Sequence, residues 1–121
     1  MNKTLASVLA IAVIASGAFY FARDSKEVTG PKTHEVMLHI ENEKLVSGPA
    51  LLQVKKGDAV EITVMDMTDS TEEFHLHGYD KSINLKKGKE ATLTLVVDTA
   101  GRFEAELENA GTEIFTLEVT P

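Results

Sequence analysis

"GRFEAELENAGTEIFTLEV", residues 101–119, is the stretch whose reading decides the fold. From Phe103 to Glu108 apolar and acidic residues alternate without a break. Phe103, Ala105 and Leu107 fall on one side of an extended chain, and Glu104, Glu106 and Glu108 fall on the other. Successive side chains of a strand point to opposite faces, so period two marks a strand with one dry face and one wet face. Antiparallel sheets solvated on one side generate this pattern. Asn109-Ala110-Gly111 then supplies a turn, and "EIFTLEV" (113–119) resumes as a strand.

The same period extends through the rest of the chain. "HEVMLHIE" (34–41) places Val36, Leu38 and Ile40 on one face. "AVEITVM" (59–65) turns Val60, Ile62 and Val64 inward and Glu61 and Thr63 outward, and "EATLTLVVD" (90–98) does the same with Leu93 and Leu95. "ALLQV" (50–54), "EEFHLHGY" (72–79) and "SINL" (82–85) lie between them, set off by "KKGD", "DMTDST" and "KKGK". No segment after residue 23 carries the 3.6-residue period of an amphipathic helix. Short strands separated by glycine-containing turns predict an all-β, antiparallel β-sandwich.

Two segments precede it. Lys3 comes before an uncharged apolar run from Leu5 to Ala22, which Arg23 ends. This reads either as a secretory signal, with Ser16-Gly17-Ala18 as its small-residue site, or as a membrane anchor. Residues 5–22 at about 1.5 Å each just cross a hydrocarbon core, with Phe19, Tyr20 and Phe21 suited to its interface. Residues 1–22 are therefore expected to be a signal peptide or anchor, residues 23–33 a polar linker, and residues 34–121 a domain. The domain is expected to be periplasmic or otherwise outward-facing, with a membrane tether if the signal is retained.

Nineteen acidic residues against twelve basic ones give a net charge of −7, and every acidic residue follows the apolar run. That balance argues against nucleic acid and anionic membrane surfaces as partners. There is no cysteine. An exported domain of this size must then hold itself by its core, and it offers no thiolate as nucleophile or metal ligand.

Laid end to end, Gly57-Asp58-Ala59-Val60 opening a strand, His75 near a strand end, the Lys87-Gly88 turn and Gly101-Arg102-Phe103 resemble the pattern of a cupredoxin. The resemblance spans roughly residues 34–120 and implies a Greek-key β-sandwich of the kind that commonly holds copper. It also implies a departure. A blue-copper centre takes two histidines, a cysteine and a weak axial methionine. Leu107 stands where the resemblance places the cysteine, and the ligand loop that should follow is cut to Asn109-Ala110-Gly111. Type-1 electron transfer is thereby excluded. "EEFHLHG" (72–78) in turn resembles the His-Pro-x-His-Leu-His-Gly strand of multicopper oxidases. Glu72 takes the place of its first histidine, while His75 and His77 match the later two, which bind the oxygen-reducing copper cluster. That cluster implies eight histidines, and this chain has four.

His75 and His77, at i and i+2 of a strand, share a face with Cα atoms about 6.5 Å apart. Two imidazoles so placed can converge on one metal, and imidazole suits copper(II), zinc or nickel. Glu72, Glu73 or Asp80 would supply the acceptor that fixes each ring. The alternative is a pair of histidines on a wet face with no specific role. His34 and His39, five residues apart, face opposite sides and make no pair. Met37, Met65 and Met67 are either fillers or soft ligands for copper(I), with Met65 and Met67 placed to approach His75 across the sheet.

No nucleophile elbow, zinc-protease motif or phosphate-cradling glycine loop is present, so the chain reads as a non-enzyme. The expected function is non-blue metal binding, with copper at His75, His77 and Glu72, as a carrier, buffer or accessory factor. Such a role implies an envelope metal-transport or oxidase protein as partner. The rival is a metal-free interaction or structural module of the cell envelope; a third reading makes the domain a subunit of a larger oxidase or transporter.

Overall fold

The computed structural model describes residues 30–121; the expected signal or anchor and most of the linker lie outside the described residues. Among the described residues nine strands form two sheets. They are β1 (Thr33–Glu41), β2 (Lys44–Ser47), β3 (Leu51–Lys55), β4 (Ala59–Asp66), β5 (Glu72–Leu76), β6 (Lys81–Leu85), β7 (Glu90–Val96), β8 (Gly101–Leu107) and β9 (Thr112–Thr120). One sheet has the order β2-β1-β4-β7 and the other β3-β9-β8-β5-β6. The chain passes back and forth between them, so both sheets complete one core. The all-β sandwich expected from the alternation is the one observed.

Its sheets are mixed, not wholly antiparallel. β1 runs parallel to β4 and β3 parallel to β9. Period-two alternation reports which face is buried, not which way the neighbouring strand runs. β2 was not foreseen. It pairs back onto β1 through Asn42 and Glu43, both at positive φ (51° and 62°), the pattern of a type I′ hairpin turn. With glutamate in place of the usual glycine, the sequence hides the turn.

The inward faces are those the alternation assigns. Leu38, Ile40, Ile62 and Val64 from one sheet meet Phe74, Leu76, Leu107 and Leu117 from the other, all with essentially no exposed surface. Each such side chain contributes about 1.5–3 kcal/mol relative to remaining exposed. On β9 two consecutive residues, Ile114 and Phe115, are both buried. A bulge explains this: Ala105 faces Phe115 but Glu106 faces Glu113, leaving Ile114 as the extra residue. The bulge keeps Glu106 and Glu113 together on the wet face.

Asp58, in the strand-opening Gly-Asp, ties three segments together. Its carboxylate accepts the N–H groups of Lys32 (3.0 Å) and Lys55 (3.2 Å) and bonds His34 Nε2 (2.8 Å). These bonds, that from Lys32 foremost and His34 next, hold its pKa down at about 2. β1 accordingly starts at Thr33, one residue ahead of the expected domain boundary.

Candidate metal centre

β5 and β8 lie side by side, with Phe74 opposite Leu107 and His75 opposite Glu106. His77 N–H donates to Glu104 O (3.0 Å) and Glu108 N–H to Glu73 O (2.9 Å), extending the ladder past both strand ends. The outward row of β5 (Glu73, His75, His77) therefore runs beside the outward row of β8 (Glu104, Glu106, Glu108). Diagonal neighbours in such a pair are within reach of long side chains.

Each histidine uses that diagonal. His75 Nδ1 donates to Glu108 Oε2 (2.7 Å), and His77 Nε2 donates to Glu106 Oε1 (2.7 Å). The two rings sit 4.4 Å apart, tilted at 48°. Glu108 Oε2 also lies 3.7 Å from His77 Nε2, so it stands between the imidazoles. One donor atom each from His75, His77 and Glu108 falls within 4.8 Å of the other two. Nitrogen, nitrogen and carboxylate oxygen in this arrangement suit copper(II) or zinc and lack the soft sulfur that blue copper requires.

The electrostatics favour a cation. His75 is pushed above the ordinary imidazole range, chiefly by its hydrogen bond to Glu108, with Asp80 Oδ1 at 3.5 Å adding to it and burial opposing. Glu113 is held above the usual carboxylate range, first by the neighbouring carboxylate of Glu104. The His75 side chain is 22 % exposed and that of His77 48 %, so the cluster lies open on the sheet surface.

Gly78 follows at once, with φ +90°; a Cβ there would lie 2.4 Å from Phe103 Cδ1. Only glycine lets the chain turn against that ring. Tyr79 packs against Phe103 (4.5 Å between centroids, the rings tilted at 57°) and donates its hydroxyl to Thr99 O (2.8 Å), fixing the end of the strand that bears the histidines.

Glu72 is a correction. The sequence reading grouped it with His75 and His77, but parity puts it on the opposite face of β5, with Phe74 and Leu76, and it is 2 % exposed. Its Oε1 accepts Asn109 N–H (3.0 Å) and its Oε2 accepts Ala110 N–H (2.8 Å). It holds the shortened β8–β9 turn and is turned away from the histidines. The carboxylate beside the two histidines is that of Glu108. The outward Glu stripe was visible in the sequence; the register that sets it against His75 was not.

The methionines are a second correction. Met65 is on β4, in the other sheet from His75, and Met67 lies beyond it against the β6–β7 turn, its Sδ 4.0 Å from where a Gly88 Cβ would be. Neither approaches His75. His34 is engaged with Asp58, while His39 lies on the outer face of the four-stranded sheet.

Comparison with known proteins bears on the family and the fold. A profile of the multicopper oxidase family matches residues 20–111. No curated protein matches the chain. Among solved structures, a copper binding protein in its apo form superposes with a TM-score of 0.60 at 17% identity, covering 75% of this chain and 97% of that one. Dithionite-reduced auracyanin from Roseiflexus castenholzii gives 0.56 at 13% identity, covering 76% and 99%. A chain of a heme-copper terminal oxidase dimer gives 0.61 at 12% identity, covering 98% and 96%. At these identities the likeness establishes the fold, which is that of the cupredoxins.

Proposed function

The chain belongs to the multicopper oxidase family, and from that premise we propose that it binds copper(II) at His75, His77 and Glu108 as a carrier, buffer or accessory factor. The observation that carries this reading is the convergence of three donor atoms within 4.8 Å on the outer face of the β5–β8 pair. Bound there, the metal would take the place of the proton that His75 now donates to Glu108, so loading releases that proton. Asp80, 3.5 Å from His75 Nε2, would orient that ring from the side away from Glu108, whereas Glu106 would give up its bond to His77 Nε2 if that nitrogen bound the metal.

A carrier or buffer suits the site better than a redox centre. Leu107 occupies the strand position where the resemblance places a cysteine, and the turn after it offers neither histidine nor methionine. The cluster is also open to solvent, which favours exchange of the ion. With four histidines the chain falls short of the oxygen-reducing cluster by itself, so we assign it no reaction of its own. Residues 1–22, as a signal or anchor, would place it outside the cytoplasm.

Titration of the full chain with copper(II) and with zinc, beside a His75→Ala/His77→Ala variant, tests the proposal. One ion per chain bound by the wild type and lost in the variant is expected; equal weak uptake by both sinks it. A second reading is favoured by the match to a terminal oxidase chain along nearly its whole length: the domain is a subunit of such an assembly. Recovery of heme with the protein when it is purified from its native membrane would select that reading.

A further inference from the structure

The outer face of the four-stranded sheet carries a cluster of different chemistry. His39 on β1 is the direct partner of Met65 on the parallel strand β4. Partnered residues share a face and sit about 4.8 Å apart. Met37, two residues before His39 on β1, shares that face about 6.5 Å away and is 48% exposed. Two flexible thioethers therefore flank one imidazole, with three rotatable bonds each to bring their sulfurs to it.

The His39 side chain is 41% exposed, but its Nε2 is itself covered and has no hydrogen-bond partner among the described residues. Among the described residues the closest carboxylate oxygen, Glu41 Oε2, is 4.0 Å away. A shielded ring nitrogen left unpaired is costly and calls for a physical explanation. A methionine sulfur hydrogen-bonds only weakly, but it is a good ligand for a soft metal ion. The opposite sheet offers imidazole and carboxylate; this face offers thioether, imidazole and thioether.

We propose that Met37, His39 and Met65 form a second, soft metal site that takes copper(I), on the face opposite the His75–His77–Glu108 cluster. Thioether and imidazole ligands select the reduced ion, as the carboxylate-bearing set favours the oxidised one. The site uses none of the residues of the first cluster and stands independently of it. No electron transfer between the two faces is needed: each takes the ion in the oxidation state its donors prefer.

The test is an anaerobic titration of the full chain, in mild detergent, with copper(I) buffered by bicinchoninate. Silver(I) serves as a redox-inert probe for NMR of the methionine methyls and the His39 ring. Copper(I) binding that shifts Met37, Met65 and His39, and that persists in the His75→Ala/His77→Ala variant, is expected. A Met37→Leu/Met65→Leu variant, which keeps apolar bulk at a surface position, should lose affinity by at least about tenfold with its backbone spectrum unchanged. Shifts confined to Met1, Met67 or His75, or an unaltered affinity in the leucine variant, would overturn the proposal.

Discussion

Ala110 donates its backbone N–H to Oε2 of Glu72 across 2.8 Å, and Asn109 donates to Oε1 of the same side chain. By the resemblance to multicopper oxidases Glu72 takes the place of the first histidine of their strand motif, and residues 109–111 take that of the cupredoxin ligand loop. The start of β5 and the β8–β9 turn are thus joined by a buried carboxylate and two amides. Replacing Glu72 with alanine leaves those amides unpaired and should cost about 1–3 kcal/mol in denaturant unfolding. Exchange at the Asn109 and Ala110 amides should accelerate beyond the global change.

Glu72 and Glu108 separate fold from site. Glu108→Gln removes a proposed ligand from an exposed face, so it should lower copper(II) affinity by at least about tenfold and, at a pH where His75 is neutral, leave stability nearly unchanged. Glu72→Gln should do the reverse. Isothermal titration and urea unfolding of the two variants, side by side, check the pair.

How much of this was legible in the sequence differs between fold and site. Alternation in "FEAELE" and "AVEITV" assigned the inward faces correctly because burial is a property of each strand alone. Strand direction, the Asn42-Glu43 hairpin and the Ile114 bulge depend on which strand lies beside which, and local patterning carries no such information. His75 and His77 were legible as a pair through their spacing. Glu108 was not, because only the β5–β8 register brings it to them, and Glu72 was misassigned although its parity with Phe74 already pointed inward.

Gly78 should be intolerant of any side chain. Gly78→Ala places a Cβ 2.4 Å from Phe103 at a φ of +90°, and the strain should destabilise the domain by about 1–3 kcal/mol. His77 is its neighbour, so metal affinity should fall as well, while Gly57→Ala, where the added Cβ meets nothing, costs only its backbone strain.

Two groups give stability a pH dependence of opposite sign. Asp58 is held down at about 2, so its contribution is present above the ordinary carboxylate value of 3.8 and is lost as pH falls toward 2. An Asp58→Asn variant should lose stability at neutral pH and unfold with a weaker acid dependence. His75 is raised, so its contribution in the metal-free protein is full below the ordinary imidazole value and is lost as pH rises through the folded one. NMR titration of His75 should show the raised value, and Glu108→Gln should bring it down. Copper(II) affinity should rise over that same interval as the competing proton leaves.

The central claim is that one copper(II) ion sits between His75, His77 and Glu108. Electron paramagnetic resonance of the full chain with one equivalent of copper(II) tests it most directly. The account predicts a non-blue spectrum with hyperfine coupling to two imidazole nitrogens, one of which is lost in His75→Ala and one in His77→Ala. A spectrum unchanged by both substitutions would contradict it.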